Sequence, residues 1–293
     1  MKYLLIELLA LYLMCSPIQA GDWISVSNGE LAIITSSNAP FPHPERQAGH
    51  NYRNQHFNFE EHYNDSSVAV FVPDHFVSTD TIDLVFYFHG WGNNIQKSID
   101  KFDLLDQFSA SQKQAIFVFP EGPKNASDSF GGRLEEKHVF KGLVEDVLNF
   151  LHQEQKVDSI VPGEIILSGH SGAYRVISFI LEQGGLSENI SEVYLFDALY
   201  GRTEQYLQWL ELYNGRFVNI TTPDGGTYKN SLEFNKDLEN IDLPTKSFTG
   251  NDVSLSDLAG SKRITIFTTL GHSEVINPYF KRFLKSSLLS NKF

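Results

Sequence analysis

Seven short runs of apolar, β-branched and aromatic residues recur along the chain, with polar or helix-like segments between them. Buried strands of a parallel sheet face other elements on both sides, so their sequences are continuously apolar instead of alternating. Parallel neighbours also need long crossover connections, which are usually helices. The runs are SSVAVFVP (66–73), IDLVFYFHG (82–90), QAIFVFPEG (114–122), GEIILSG (163–169), EVYLFDA (192–198), RFVNITT (216–222) and RITIFTTLG (263–271).

A helix-like segment lies between the third and fourth of these runs. Its apolar residues recur at spacings of three and four, which places them on one helix face. Alternation of strand and helix predicts the α/β class, with a mostly parallel central sheet and helices on both faces. In such sheets the chemistry lies at the carboxyl ends of the strands. The spaced residues are Phe140, Leu143, Val144, Val147, Leu148 and Leu151.

The first 20 residues have a different pattern. Lys2, an apolar run over 3–14 and the small residue Ala20 are typical of a secretory signal peptide. The run is shorter than the roughly 20 residues that span a bilayer, so we expect cleavage and no stable membrane insertion afterwards, with an uncleaved anchor as the alternative. The one cysteine, Cys15, lies in this segment. A mature chain without disulfides is typical of an exported bacterial protein, periplasmic or secreted.

The mature chain is then a single predicted domain, 21–293, whose N-terminal part, 21–65, is expected to form an irregular arm or a short hairpin packed against the sheet. The arm contains four histidines whose spacing matches no zinc motif, and no cysteine assists them. We therefore expect no metal and no cofactor, and we interpret the arm as a rim or flap over an active site. The histidines are His43, His50, His56 and His62.

The charge of the chain excludes some partners. It has 36 acidic and 23 basic residues, a formal net charge of −13, and no cluster of lysine and arginine. Such a chain is a poor ligand for nucleic acid or an anionic membrane. The net charge favours a neutral or mixed substrate.

The segment Gly169-His170-Ser171-Gly172-Ala173 follows the run EIILS and precedes the helix-like AYRVISFILEQ. Strand, sharp turn and helix form the context of a nucleophile elbow, in which a serine is held in a strained conformation. Its neighbours must be small, and Gly169, Gly172 and Ala173 are. The usual pattern is G-x-S-x-G, and Ala173 departs from it. The alternative interpretation is an ordinary turn that joins a strand to a helix.

These features resemble the α/β-hydrolase superfamily, from about residue 66 to the C-terminus. The segments VFVP, LVFYFHGWGNN, IFVFPEGP and ILSGHSGA are most similar to secreted esterases of the polyhydroxybutyrate depolymerase and feruloyl esterase type. The resemblance implies the α/β-hydrolase fold and a triad in the chain order serine, acid, histidine.

Histidine would be the base that takes the serine proton. His272 is the one histidine after Ser171, and it lies just beyond the last apolar run, where the resemblance places the catalytic histidine. We expect structural roles for two others. His89 is expected to hydrogen-bond within its own loop, and His170 to point away from the site.

The acid has two candidates. Asp197 follows an apolar strand-like run, where an ionised carboxylate is costly unless it has a partner. Asp224 ends the next run, the more usual position in the superfamily, but it lies in a Pro-Asp-Gly-Gly turn that favours aspartate for structural reasons. We favour Asp197, with Asp224 as the alternative. Asp252 is in a loop-like segment and is a weaker candidate.

An oxyanion needs two converging backbone N–H groups. The resemblance suggests those of Gly172 and Trp91, the latter in HGWGNN. The sequence thus predicts a secreted serine hydrolase that cleaves small-molecule or polymeric carboxylic esters. A serine peptidase or amidase with the same triad, and a non-catalytic binding protein with this fold, remain alternatives.

Overall fold

The computed structural model describes residues 21–291, and the predicted signal peptide lies outside them. The strands are β1 (Ile24–Val26), β2 (Gly29–Thr35), β3 (His50–Tyr52), β4 (Gln55–Phe57), β5 (Ser67–Pro73), β6 (Ile82–Phe88), β7 (Ile116–Pro120), β8 (Pro162–His170), β9 (Ile190–Phe196), β10 (Arg216–Thr221), β11 (Lys246–Thr249) and β12 (Arg263–Phe267). The α-helices are α1 (Phe59–His62), α2 (Ile95–Phe102), α3 (Leu104–Ser109), α4 (Val139–Gln153), α5 (Tyr174–Gln183), α6 (Thr203–Tyr213), α7 (Tyr228–Asn240), α8 (Leu255–Ala259) and α9 (Ile276–Lys285).

Ten of the strands form one sheet, in the order β1-β2-β5-β7-β6-β8-β9-β10-β12-β11. Every pair from β7 to β11 is parallel. The pairs β1-β2, β2-β5 and β5-β7 are antiparallel. This sheet confirms the prediction of a mostly parallel α/β architecture, and all seven predicted runs are strands in it.

Two apolar layers cover the faces of the sheet. On one side, α4 to α7 pack against the strands, and Phe86, Phe140 and Ile177 belong to their shared core. On the other side, α2, α3, α8 and α9 form a second core that includes Tyr87 and Phe280. The predicted helical spacing is confirmed in α4, which buries the expected apolar residues on one face.

The N-terminal arm is less irregular than its composition suggests. β2 pairs along its whole length with β5, and it buries Ala32 and Ile34 while Ile33 is exposed. β3 and β4 form a separate hairpin. Within residues 21–291, no helix is long and apolar enough to cross a membrane.

Candidate active site

Ser171 stands at the turn between β8 and α5. Its φ is 56°, in the left-handed region that non-glycine residues rarely adopt. The turn is tightly packed, because a Cβ built at Gly169 would lie 2.7 Å from the Ala173 Cβ. A Cβ built at Gly90 would lie 2.6 Å from the Ser171 Cβ, so the loop after β6 also touches the serine. The backbone therefore presents Ser171 in the geometry of an elbow.

His272 and Asp197 meet at the same edge of the sheet. His272 lies in the loop between β12 and α9, and its Nδ1 is 2.5 Å from Asp197 Oδ2. Asp197 directly follows β9 and is fully buried. A buried carboxylate beside an imidazole needs further donors to remain ionised.

Two threonines supply those donors. Asp197 Oδ1 accepts hydrogen bonds from the Thr222 N–H at 3.2 Å and from the Thr227 hydroxyl, and Oδ2 accepts one from the Thr222 hydroxyl at 2.6 Å. Burial alone would raise the pKa of Asp197, but the hydrogen bonds from His272, Thr222 and Thr227 outweigh it and lower the pKa. Sequence reasoning missed both threonines, although they flank the PDGG turn.

The alternative acid lies elsewhere in this turn. Asp224 is exposed, whereas Gly225, its neighbour, packs directly on Asp197: a Cβ built at Gly225 would lie 1.8 Å from Asp197 Oδ2. Asp252, the weaker candidate, is on the surface and pairs with Arg282 at 2.7 Å. Of the three candidates, the structure brings only Asp197 to His272 within residues 21–291.

Ser171 and His272 line one cleft of about 520 Å³. No hydrogen bond joins the two side chains in the described part of the chain. The hydroxyl of Tyr200, which lines the same cleft, donates to the Gly225 carbonyl. Burial and the charge of Asp197 raise the pKa of Tyr200 to about 12, and the neighbouring Ser171 side chain partly offsets this. The lining residues are Trp91, Gly92, Asn93, Lys97, Lys101, Ser129, His170, Ser171, Gly172, Tyr174, Tyr200, His272 and Ser273.

The two predicted oxyanion residues are neighbours. A Cβ built at Gly172 would lie 2.9 Å from the Trp91 ring. The indole of Trp91 is oriented by its Nε1–H, which donates to Ser129 Oγ at 2.8 Å. Within residues 21–291, neither the Trp91 nor the Gly172 backbone N–H donates to a backbone carbonyl. Trp91 and Gly172 both line the cleft that contains Ser171.

His89 forms the hydrogen bond that was expected within its loop, from Nδ1 to the Gly90 carbonyl at 2.8 Å. Its Nε2 lies 3.0 Å from the buried carboxylate of Glu121 and 3.1 Å from the Gly122 N–H. Glu121 also accepts a hydrogen bond from the first N–H of α2, at Ile95. These contacts anchor the loop that carries Trp91.

The expectation that His170 points away from the site is wrong. Its Nε2–H donates to the backbone carbonyl of His272 at 2.9 Å, and the two rings lie 4.6 Å apart. Burial lowers the pKa of His170 to about 3, and the charges of His272 and Lys101 contribute. A neutral His170 therefore supports the loop of His272. The turn at the end of β8, whose direction sequence spacing does not give, places this side chain between His272 and Phe102 of α2.

The arm histidines have ordinary partners. His43 contacts Glu136 at 3.1 Å, His56 contacts Asn51 at 2.8 Å, and His62 contacts the Lys124 carbonyl at 2.6 Å. Among residues 21–291, no group of three or more histidine, cysteine or acidic side chains could hold a metal ion.

The arm still reaches the cleft through its hairpin. The ring of Tyr52, on β3, lies 4.8 Å from the ring of Trp91 in an edge-to-face contact. The hairpin thus packs on the loop that would hold the oxyanion.

Solved esterase structures share this architecture, although no family model and no curated protein sequence matches the chain. An S-formylglutathione hydrolase from Agrobacterium tumefaciens aligns with a TM-score of 0.55 and 11% identity, over 92% of this chain and 99% of that one. The feruloyl esterase module from Clostridium thermocellum, complexed with sinapinate, aligns with a TM-score of 0.53 and 13% identity, over 91% and 95%. The chain therefore has the α/β-hydrolase fold that its sequence motifs predicted.

Proposed function

We propose that the protein is a serine hydrolase that cleaves carboxylic esters, with Ser171 as nucleophile, His272 as base and Asp197 as acid. One observation carries the proposal: a strained serine shares a cleft with an imidazole that is hydrogen-bonded to a buried carboxylate. A turn that merely joined β8 to α5 would need neither partner. The esterase structures with this fold support the choice of ester substrates.

The two nitrogens of His272 have separate tasks in this mechanism. Asp197 holds Nδ1 in its protonated form, which leaves Nε2 as the acceptor. When an ester enters, the Ser171 hydroxyl turns toward Nε2 of His272 and loses its proton as Oγ attacks the carbonyl carbon. The buried, ionised Asp197 stabilises the imidazolium that results.

The tetrahedral intermediate carries its negative charge on the former carbonyl oxygen. The N–H groups of Gly172 and Trp91 would bind that oxygen, and donors fixed in advance are worth about 3 kcal/mol each in such sites. His272 then donates its proton to the leaving alcohol, and an acyl group remains on Ser171. Water repeats the same steps, with His272 as base, and releases the acid.

The setting of the enzyme belongs to the same proposal. We infer that residues 1–20 direct export and are removed, and that the enzyme acts on small-molecule or polymeric esters in the periplasm or outside the cell. The apolar run and Ala20 before Gly21 support export.

Fluorophosphonate labelling tests the nucleophile, because such probes react with activated serines. We expect wild type to be labelled and to hydrolyse p-nitrophenyl butyrate, and Ser171→Ala to lose both while its melting temperature stays within a few degrees. Ser256→Ala, on the exposed surface of α8, is the control and should keep both. Labelling that persists in Ser171→Ala at another serine would show that the assignment is wrong.

A further inference from the structure

The cleft has a charge opposite to that of the chain. The chain carries a formal net charge of −13. Among residues 21–291, the cleft that holds Ser171 is lined by two lysines, Lys97 and Lys101, and by no aspartate or glutamate. A cationic cleft on an acidic protein concentrates positive potential where the substrate binds.

The ammonium of Lys97 is fixed at the loop that would hold the oxyanion. Its Nζ donates to the Gly92 carbonyl at 2.6 Å, and Gly92 directly follows Trp91. An ammonium has three N–H donors, so this bond leaves two that can point into the cleft. Lys97 is therefore held in place without being neutralised.

Lys101 lies one turn further along α2. Residues four apart share a helix face, so both lysines project toward the same wall of the cleft. Burial is the main cause of the low pKa of His170, and the charge of Lys101 lowers it further. The Nζ of Lys101 lies 4.9 Å from the centre of the Phe102 ring, which contacts His170, and His170 packs on His272.

Helix stability favours a cation at Lys101, which is in the last turn of α2, but it does not explain Lys97. Lys97 is in the first turn of α2, where the helix dipole disfavours a cation, and like charges four residues apart repel each other. Neither ammonium forms an ion pair with a carboxylate among residues 21–291. Asp100, on the same helix, is bound by the Gln96 amide at 2.9 and 3.0 Å.

We propose that Lys97 and Lys101 bind the carboxylate of an anionic ester, so that the preferred substrates carry a negative charge near the scissile bond. The proposal rests on the proposed ester hydrolysis and names its substrate class. Because exposed ion pairs are modest, each lysine should raise kcat/KM for an anionic ester about two- to fivefold, and the pair about tenfold.

Matched esters test the proposal and locate the charge. Mono-p-nitrophenyl glutarate has a carboxylate on the acyl side, and p-nitrophenyl pentanoate is its neutral match. A carboxy-substituted nitrophenyl butyrate has the carboxylate on the alcohol side, and p-nitrophenyl butyrate is its match. The readout is the ratio of kcat/KM for the anionic ester to that for its neutral match.

We expect this ratio to exceed one for at least one pair and to fall about tenfold in the Lys97→Gln/Lys101→Gln double variant. It should also fall as salt screens the charges. Lys285→Gln, an exposed lysine on α9 outside the cleft, should keep the wild-type ratio. A ratio at or below one for both pairs, or a ratio unaffected by the double variant, would overturn the proposal.

Binding separates this proposal from the proposed function. If no ester is hydrolysed, the proposed function fails, and calorimetry on Ser171→Ala then decides the role of the lysines. Monoethyl glutarate should bind more tightly than diethyl glutarate, and the double substitution should remove the difference. Equal binding of the two compounds would overturn the lysine proposal alone.

Discussion

Asp197→Asn tests the proposed acid, because it replaces one oxygen of a carboxylate that is surrounded by hydrogen-bond donors with an NH₂ group. The carboxylate accepts four hydrogen bonds, two on each oxygen. An asparagine must place an NH₂ at one of these positions. At the Oδ1 position, the NH₂ would face the Thr222 N–H, a donor that cannot rotate away.

The NH₂ of the introduced asparagine is therefore expected to face His272, where it would require Nδ1 to accept a hydrogen bond. The ring proton would then sit on Nε2, and the imidazole could not take the proton of Ser171. Loss of the correct tautomer lowers turnover by up to about 10⁴-fold in triads of this kind. The lost hydrogen bonds to a charged group should also cost about 1.5–3 kcal/mol of unfolding free energy.

The assay compares the turnover of p-nitrophenyl butyrate by Asp197→Asn and Asp224→Asn, with urea unfolding of both variants. Asp224 lies in the same turn but is exposed, so its substitution controls for changes in the turn itself. We expect it to stay within about threefold of wild type, since exposed substitutions have small effects. If Asp224→Asn lost most of its turnover and Asp197→Asn kept nearly wild-type turnover, the assignment of Asp197 as the acid would be wrong.

Two further predictions concern residues that support the triad. The pKa of His170 is about 3 in the folded protein, against an ordinary value of 6.5, so between these pH values the unfolded chain binds a proton that the folded chain does not. Stability from this residue is therefore full above pH 6.5 and is lost as the pH falls, by about 1.4 kcal/mol per unit. Urea unfolding at pH 7 and 4.5 should show a loss about 2–3 kcal/mol smaller in His170→Gln than in wild type, and parallel losses would contradict this. Gly225→Ala should lower turnover about 100-fold, because the new Cβ would displace Asp197. Gly201→Ala is the control and should keep turnover near wild type, because the nearest atom to a Cβ there is 3.7 Å away. Equal turnover of the two variants would argue against a tight fit at Asp197.

Strongly apolar elements were predictable from the sequence, and weakly patterned ones were not. β6 and β8 to β10 are buried on both faces along most of their length, so apolar residues dominate each of them, although β9 and β10 also bury Glu192 and Asn219. β11 has four residues at the sheet edge, and none of them is fully buried. Its short, polar sequence KSFT gave no signal. β2 was missed because an Asn-, His- and Pro-rich arm surrounds it.

In the candidate site, too, some residues could be predicted from sequence patterns, whereas contacts that depend on how the turns fold could not. Ser171 and His272 could be proposed from the sequence because small residues and strand ends mark their places, and the structure brings both to one cleft. The threonines around Asp197 depend on how the turn 222–227 folds over β9, and nothing in their spacing shows this. Likewise, the net charge of the whole chain led to the prediction of a neutral or mixed substrate. A net charge is a sum over all residues, so it does not show that Lys97 and Lys101 of α2 line the cleft.

The departure of the elbow from the common G-x-S-x-G pattern has a structural reason. The helix α5 crosses so close to β8 that a Cβ on Gly169 would approach both the Ala173 Cβ and the Ile177 Cδ1 to 2.7 Å. The crowded space can therefore hold one methyl group, and here Ala173 supplies it while Gly169 leaves room. What the turn requires is the absence of a Cβ at one of the two positions, not a glycine at both. Ala173 is thus compatible with the positive φ of Ser171, and the strained serine is held by the packing of α5 on the sheet.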